Sequence, residues 1–168
     1  MSFYKSIIGL MLMALVLVFA VGCDDDEGNG VGPEQDKADI RVIHAGYDAP
    51  AVDIKVDGTT AFTNIEYGAT TGYARINSGT RNITVTPAGA ASPVFINVDL
   101  ALVTDAEYTV FAVGDLDNIE PIFDTDVRTP VSGKVKIRVV HASPDAPNID
   151  LKLDNGSGTA LFSNLVFK

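Results

Sequence analysis

The sequence contains no tryptophan, one cysteine (Cys23) and two histidines, His44 and His141. A single cysteine cannot form an intramolecular disulfide, and it excludes zinc or redox sites built from several thiols. Basic residues are also scarce, with 12 lysines and arginines against 22 aspartates and glutamates and a net charge of −10. Because nucleic-acid-binding surfaces carry basic patches, we expect no nucleic-acid partner. No serine or cysteine stands at a spacing typical of a catalytic nucleophile, so we expect no enzyme activity.

The N-terminal segment has the layout of a secretory signal. Lys5 precedes an apolar run over residues 7–21, and Ala20-Val-Gly-Cys23 follows it. The small residues before Cys23 resemble the lipobox of bacterial lipoproteins. That resemblance implies a signal peptide over residues 1–22, a covalent lipid on Cys23 and no other cofactor. An ordinary signal peptide or a short membrane anchor, with an incidental cysteine, is the alternative.

The predicted lipid defines a location for the protein. Acyl chains on Cys23 would attach the chain to the membrane of the bacterial cell envelope, facing either the periplasm or the cell surface. Residues 23–37 are acidic, rich in glycine and almost free of apolar side chains. Such a composition cannot bury enough surface to fold, so we predict an acidic, flexible tether.

The rest of the chain has the pattern of short β-strands. Apolar and polar residues alternate with a period of two, as in Val52–Val56, and turn residues such as Asp57-Gly58 separate the runs. No convincing helical stripe is present. Many short strands with frequent turns predict an all-β chain with an antiparallel β-sandwich, immunoglobulin-like or prealbumin-like, and a small closed barrel is the alternative. The predicted strands cover residues 40–45, 52–56, 61–67, 72–76, 82–86, 94–100, 108–113 and 119–123.

Two stretches of the chain are near-copies of each other. Residues 40–57 recur as residues 137–154 at a constant spacing of 97 residues, with mostly identical or similar side chains. A repeat of this length indicates tandem copies of one folding unit. We predict a sandwich domain over residues 38–130, a linker over 131–134 and the beginning of a second copy over 135–168. The second copy contains nothing that corresponds to 72–123, so we expect it to be poorly ordered or packed against the first domain.

The repeated motif resembles a known family. Arg-Val-Val-His-Ala-Ser-Pro-Asp-Ala-Pro, with Ile-Asp and an acidic turn, occupies residues 138–154. It is similar to the opening of the bacterial domain of unknown function 4397. Residues 41–57 carry the same motif with Gly46-Tyr47 in place of Ser-Pro. The resemblance implies an exported, often lipid-anchored protein with tandem domains, and it implies no catalytic residues and no ligand.

Each histidine of the motif precedes an aspartate by four residues. The pairs are His44 with Asp48 and His141 with Asp145. We interpret them as a structural motif in which the aspartate accepts backbone N–H groups of its own turn and a neutral histidine holds the loop. A weak metal site is the alternative interpretation.

Two ligand classes stay open from the sequence. Asp115, Asp117 and Asn118, and likewise Asp124 and Asp126, could offer oxygens to calcium, but neither group has the order of a calcium loop, and we interpret both as acidic turns. The tyrosines that could form a platform for a surface glycan are Tyr47, Tyr67 and Tyr73. We therefore predict a non-catalytic module that binds a surface glycan or protein partner, with a calcium-stabilised adhesion repeat as the alternative.

Overall fold

The structure is a computed structural model that describes residues 36–153 and 158–168 of the chain. The predicted signal peptide and almost all of the predicted tether, including Cys23, lie outside the described residues. Within those residues, no helix has the length and apolar composition needed to cross a membrane.

The described residues form ten strands and one turn of 3₁₀ helix between β7 and β8, at Leu116–Asn118. Each of the eight runs predicted from the sequence overlaps an observed strand. The strands are β1 (Lys37–Gly46), β2 (Val52–Val56), β3 (Thr59–Ile65), β4 (Ala74–Asn77), β5 (Gly79–Pro87), β6 (Ile96–Leu102), β7 (Glu107–Gly114), β8 (Glu120–Thr125), β9 (Ile149–Lys152) and β10 (Ala160–Leu165).

Eight of these described strands form a β-sandwich, which confirms the predicted fold class. The first sheet has the order β4-β1-β7-β8, and the second sheet has the order β3-β2-β5-β6. All the pairs are antiparallel except β1 and β7, which run parallel over their whole common length. β9 and β10 form a separate antiparallel pair.

The core between the two sheets follows from the alternation in the sequence. In β1 and β2 every second residue is buried, because successive side chains of a strand point to opposite faces. The inward-facing side chains are almost all valine, isoleucine, leucine and alanine, which suit a pleated buried surface. The largest of those completely buried in this core are Ile40, Val42, Val52, Ile54, Ile83 and Val85.

β7 departs from this alternation because both of its faces are covered. Tyr108, Val110 and Ala112 belong to the core between the sheets. Phe111 and Val113 point away from that core and are buried nonetheless. The second copy covers this outer face of the first sheet, and Phe111 shares a cleft there with Val140 and Ala142.

Two tight turns require glycine. The β2–β3 turn has positive φ at both central residues, 49° at Asp57 and 79° at Gly58, and this conformation suits the twist of a hairpin. Gly114 ends β7 with a φ of 100°, and a Cβ atom there would lie 2.4 Å from the carbonyl oxygen of Asn118. This turn leads directly into the 3₁₀ turn.

The second copy does not repeat the whole architecture of the first within the described residues. Residues 135–141, which correspond to β1 by sequence, form no strand. β9 and β10 correspond to β2 and β3 and pair in the same antiparallel way.

Candidate functional site

His44 lies at the end of β1 with its side chain completely buried. Its Nε2 is 3.0 Å from the carbonyl oxygen of Pro50, and the N–H of Gly46 donates to its Nδ1 at 3.3 Å. These partners require a proton on Nε2 and a lone pair on Nδ1, so the ring is the neutral Nε2–H tautomer. Both ring nitrogens therefore hold the loop between β1 and β2.

His141 makes the same two contacts in the second copy. Its Nε2 is 3.1 Å from the carbonyl oxygen of Pro147, and the N–H of Ser143 donates to its Nδ1 at 3.3 Å. Gly46 and Ser143 differ in side chain, but each contributes only its backbone N–H. The recurrence agrees with a structural role for the motif histidines.

Asp48 accepts a backbone N–H from outside its own turn, whereas the sequence predicts an acceptor for N–H groups of that turn. Its Oδ1 accepts from the N–H of Leu116 at 2.7 Å, which ties the β1–β2 loop to the 3₁₀ turn after β7. The charge of Asp48 raises the pKa of the Tyr47 hydroxyl most, followed by burial and then by the charges of Asp145, from the second copy, and Asp115.

The second aspartate of the motif also holds backbone groups. Asp53 accepts from the N–H of Gly89 at 2.9 Å and from the N–H of Asn64 at 2.8 Å, and these two bonds lower the pKa of its carboxyl, Gly89 most. Asp150 accepts from the N–H of Asn164 at 2.8 Å in the second copy. From the sequence, Asp53 is interpreted only as part of the solvated face of a strand, and Asp150 has no assigned role. The sequence signal for this contact is that both partners recur, Asp53 with Asn64 in the first copy and Asp150 with Asn164 in the second.

The comparison with known families agrees with the repeated motif. A family model described as a domain of unknown function (DUF4397) matches residues 38–152. The chain belongs to the DUF4397 family. The match begins in β1 and ends with β9, so it spans the whole DUF4397 sandwich and the motif of the second copy. No curated protein matches the chain.

A buried carboxylate lies where the two copies of the DUF4397 motif meet. Asp126 follows β8, and its side chain is only 4% exposed. Its Oδ2 accepts from the hydroxyl of Tyr73 at 2.5 Å and from that of Thr109 at 2.6 Å, and Arg41 Nε lies 3.6 Å away. Arg138 binds its Oδ1. The predicted acidic turn at this position is therefore wrong, because Asp126 is the centre of a hydrogen-bonded network.

Two opposing effects determine the pKa of the Asp126 carboxyl. Burial raises the pKa of the carboxyl, since an ionised group loses hydration. The hydrogen bonds from Thr109, Tyr73 and Arg138, with the positive charge of Arg138, outweigh burial and lower the pKa below its usual value. Asp126 is therefore ionised at neutral pH and attracts Arg138.

Arg138 connects the second copy to the first. Its Nε lies 3.0 Å from Asp124 Oδ2, and its Nη2 donates to the carbonyl oxygen of Thr125 at 2.6 Å. By sequence Arg138 corresponds to Arg41, whose Nε donates to Thr109 at 2.8 Å within the first copy. We call the contact of Arg138 with Asp124, Thr125 and Asp126 the inter-copy junction.

The three candidate tyrosines divide into two groups. Tyr73 donates a hydrogen bond to Asp126 and so belongs to its network. The guanidinium carbons of Arg41 and Arg128 each lie 5.0 Å from the centre of the Tyr73 ring. Tyr47 and Tyr67 are exposed, and the Tyr67 ring makes a T-shaped contact with the ring of His44 at a centroid distance of 6.3 Å. The structure therefore leaves two of the three tyrosines available at the surface.

In both motif histidines, backbone groups contact the two ring nitrogens. The Nδ1 lone pairs of His44 and His141, which a metal ion would need, accept backbone N–H groups. Asp115 accepts from the side chain of Asn118 at 3.0 Å, as an acidic turn would. Within residues 36–153 and 158–168, no three histidine, cysteine, aspartate or glutamate side chains converge to hold a metal ion.

Proposed function

We propose that this chain is a non-catalytic lipoprotein of the bacterial cell envelope that presents DUF4397 sandwiches for binding a surface partner. The observation that carries the proposal is the repeated use of the motif side chains. In both copies the histidine and the second aspartate bind backbone groups of their own copy. Side chains that bind backbone groups of their own domain stabilise its fold. In a rigid sandwich of this type, binding residues are usually found on the loops.

The direction of β1 supports presentation away from the membrane. The chain enters the sandwich at Lys37, the last residue of the predicted tether, and β1 ends at Gly46 beside the motif loop. Ten residues of extended strand span about 30 Å. The motif loop is therefore at the end of the sandwich opposite to the point where the chain enters.

The predicted anchor can be tested at Cys23. In the full chain expressed in a bacterium, Cys23→Ser is expected to abolish incorporation of a labelled fatty acid and to release the protein from the membrane fraction. Two or more acyl chains anchor durably, and each buried methylene contributes about 0.8 kcal/mol. The matched control is Asn29→Ser, which should stay labelled and membrane-bound. A Cys23→Ser chain that stays labelled would contradict lipidation.

The face of the membrane can be tested by protease treatment of intact cells that make the full chain, with a periplasmic protein as control. Digestion of the chain while the control survives would place it at the cell surface and favour surface binding. Protection until the outer membrane is broken would place it in the periplasm and favour a role in envelope structure or solute binding.

A glycan is a second candidate partner, favoured by the motif-loop end of the sandwich. Tyr47 and Tyr67 are exposed there. A cleft of about 560 Å³ lies beside the motif loop, and its lining includes Pro50, Phe95 and Leu116. Exposed tyrosine rings and an apolar cleft at the same end of the sandwich offer the kind of surface on which sugar rings stack.

The glycan candidate predicts a loss of binding in a tyrosine variant. The combined change Tyr47→Ala and Tyr67→Ala is expected to weaken binding to isolated bacterial cell-wall glycan by about tenfold, which corresponds to about 1.4 kcal/mol. Sedimentation with the insoluble glycan measures this. Val103→Ala, at another exposed apolar residue, is the control and should bind normally. Equal binding by all three chains would exclude the tyrosines as the platform.

The calcium-stabilised repeat stays a prediction with a simple test. If calcium stabilises the fold, its removal by a chelator lowers the melting temperature of the full chain. An unchanged melting temperature would exclude this alternative.

A further inference from the structure

The loops at the motif-loop end of the sandwich contain acidic residues and no basic ones. They connect β1 to β2, β3 to β4, β5 to β6 and β7 to β8, over residues 47–51, 66–73, 88–95 and 115–119. Their acids are Asp48, Glu66, Asp115 and Asp117, and none of the four segments contains a lysine or an arginine. This end of the sandwich therefore presents negative charge.

The acids of the loops at the opposite end are paired with arginines. Asp57 Oδ2 lies 3.1 Å from Arg81 Nη1, and Asp105 Oδ1 lies 3.9 Å from Arg75 Nη2. By contrast, within residues 36–153 and 158–168, none of the four acids of the motif-loop end forms an ion pair. Their charges are thus not neutralised by ion pairs in the described part of the chain.

The negative charge of these loops acts on the exposed surface around them. Asp48 raises the pKa of the Tyr47 hydroxyl most, and Tyr47 is 55% exposed. Lys168 is paired with Glu120, the first residue of β8, rather than with a loop acid. A cationic group that approaches the motif-loop end is therefore attracted to it.

An apolar cleft opens between three of these loops. Its volume is about 560 Å³, and clefts of about 300–1,000 Å³ are typical of ligand sites. Val94 is 50% exposed there and Leu116 is 37% exposed. The cleft thus places exposed apolar side chains directly beside the uncompensated acids. Its lining includes Pro50, Pro87, Pro93, Val94, Leu116 and Asp117.

Hydrogen bonds fix the walls of the cleft to one another. The N–H of Leu116 donates to Asp48 at 2.7 Å, which joins the β7–β8 loop to the β1–β2 loop. The N–H of Ala88 donates to the carbonyl oxygen of Ala51 at 2.8 Å, which joins the β5–β6 loop to the same loop. The three prolines of the lining restrict the backbone further. A cleft held in this way loses little conformational entropy when a ligand binds.

We propose that this cleft binds a segment of a partner protein in which lysine or arginine flanks apolar side chains. The apolar side chains enter between Val94 and Leu116, and the cationic groups pair with Asp115 and Asp117. The exposed ring of Tyr47 offers a further contact for a cation. Complementary charge of this kind selects the partner, and the same acids repel an anionic glycan. The proposal rests on the proposed function, because it names the chemistry of the partner that the sandwich would bind.

Peptides that differ in one property at a time test the ligand chemistry. The probes are a short fluorescent peptide of alternating lysine and leucine, the same peptide with glutamate for lysine, and the same peptide with serine for leucine. Fluorescence anisotropy with the full chain in a non-ionic detergent measures their affinities. We expect the lysine–leucine peptide to bind about tenfold more tightly than either of the others at low salt.

Two variants test whether the cleft is the site. Asp117→Lys is expected to weaken binding of the lysine–leucine peptide about tenfold and to strengthen binding of the glutamate peptide. Val94→Ser is expected to weaken the lysine–leucine peptide severalfold. The matched controls are Asp36→Lys and Val103→Ser, at exposed positions away from the cleft, and both should leave the affinities unchanged. Circular dichroism of each variant checks that the sandwich remains folded.

Three outcomes would overturn the proposal. Equal affinity for the lysine and glutamate peptides would show that the loop acids do not select the ligand. Equal effects of Asp117→Lys and Asp36→Lys would show that overall charge, and not the cleft, determines binding. Loss of cell-wall glycan binding in Val94→Ser, with no binding of any peptide, would assign the cleft to a glycan. In that last case the proposed function would stand, since the experiments at Cys23 and on intact cells test it separately.

Discussion

Replacing His44 by alanine is expected to lower the free energy of unfolding by about 3 kcal/mol. The side chain is completely buried, and the change removes hydrogen bonds to the carbonyl oxygen of Pro50 and the N–H of Gly46. The cost combines the cavity with two backbone groups left without a partner, each of which is costly when buried. Denaturant unfolding of the full chain, followed by circular dichroism, measures the loss.

The second copy supplies the control for this prediction. His141 makes the same contacts, but its loop belongs to a copy with little core of its own. His141→Ala should therefore lower the free energy of the main unfolding transition by less than about 1 kcal/mol. An equal loss for the two variants would contradict a role confined to each loop.

Added zinc should leave the melting temperature of the unmodified chain unchanged. A rise in the melting temperature would support a metal site at the motif histidines.

Replacing Asp126 by alanine is the second change with a large expected effect, again about 3 kcal/mol. The hydroxyls of Tyr73 and Thr109 would lose their acceptor, and Arg41 and Arg138 would lose a charged partner. Removing one member of a buried charged network leaves the others uncompensated, which is more costly than losing an exposed ion pair. Denaturant unfolding again measures the change.

Arg138→Ala separates the inter-copy junction from the rest of the Asp126 network. It leaves the bonds from Tyr73 and Thr109 in place, so we expect a loss of only about 1 kcal/mol. Hydrogen exchange should become faster in residues 138–142 and stay unchanged in β1. Exchange that accelerates equally in both regions would contradict a junction that acts locally.

The Asp126 network also predicts a pH dependence. The pKa of Asp126 is lower in the folded chain than its ordinary value of about 3.9. The stability that its ionised form contributes is therefore fully present above about pH 5 and is lost as the pH falls through the lower folded pKa. The difference in unfolding free energy between the unmodified chain and Asp126→Asn should be constant above pH 5 and shrink below about pH 4. A difference independent of pH would contradict the lowered pKa.

The sequence predicted the sandwich because burial in this fold is local and alternating. The alternation of apolar and polar residues in Val52–Val56 indicates which side chains face the core, and Asp57-Gly58 indicates the turn that follows. The outer face of β7 was not predictable in the same way. Phe111 and Val113 are covered by residues about 30 positions further along the chain, and no periodicity within β7 reports that contact.

The Asp126 network escaped prediction for a related reason. Its members come from β1, the segment before β4, β7, the end of β8 and the second copy, and only the fold brings them together. The sequence showed Asp124 and Asp126 as neighbouring acids, which is also the pattern of a turn. By contrast, His44 and the loop that it contacts lie within seven residues of each other, so the local sequence can indicate a contact of this kind.

The geometry of the histidine contact leaves the tip of the motif loop free to vary. The donors and acceptors at positions 46, 50, 143 and 147 are backbone groups, so the side chain at position 47 takes no part in the contact. The two copies carry different residues here, Gly46-Tyr47 and Ser143-Pro144, and the contact excludes proline at positions 46 and 143, because each must supply an N–H. The loop is therefore a natural site for engineered diversity. Randomised side chains at position 47, or its counterpart 144, could be displayed on an unchanged frame, much as antibody loops are varied on theirs.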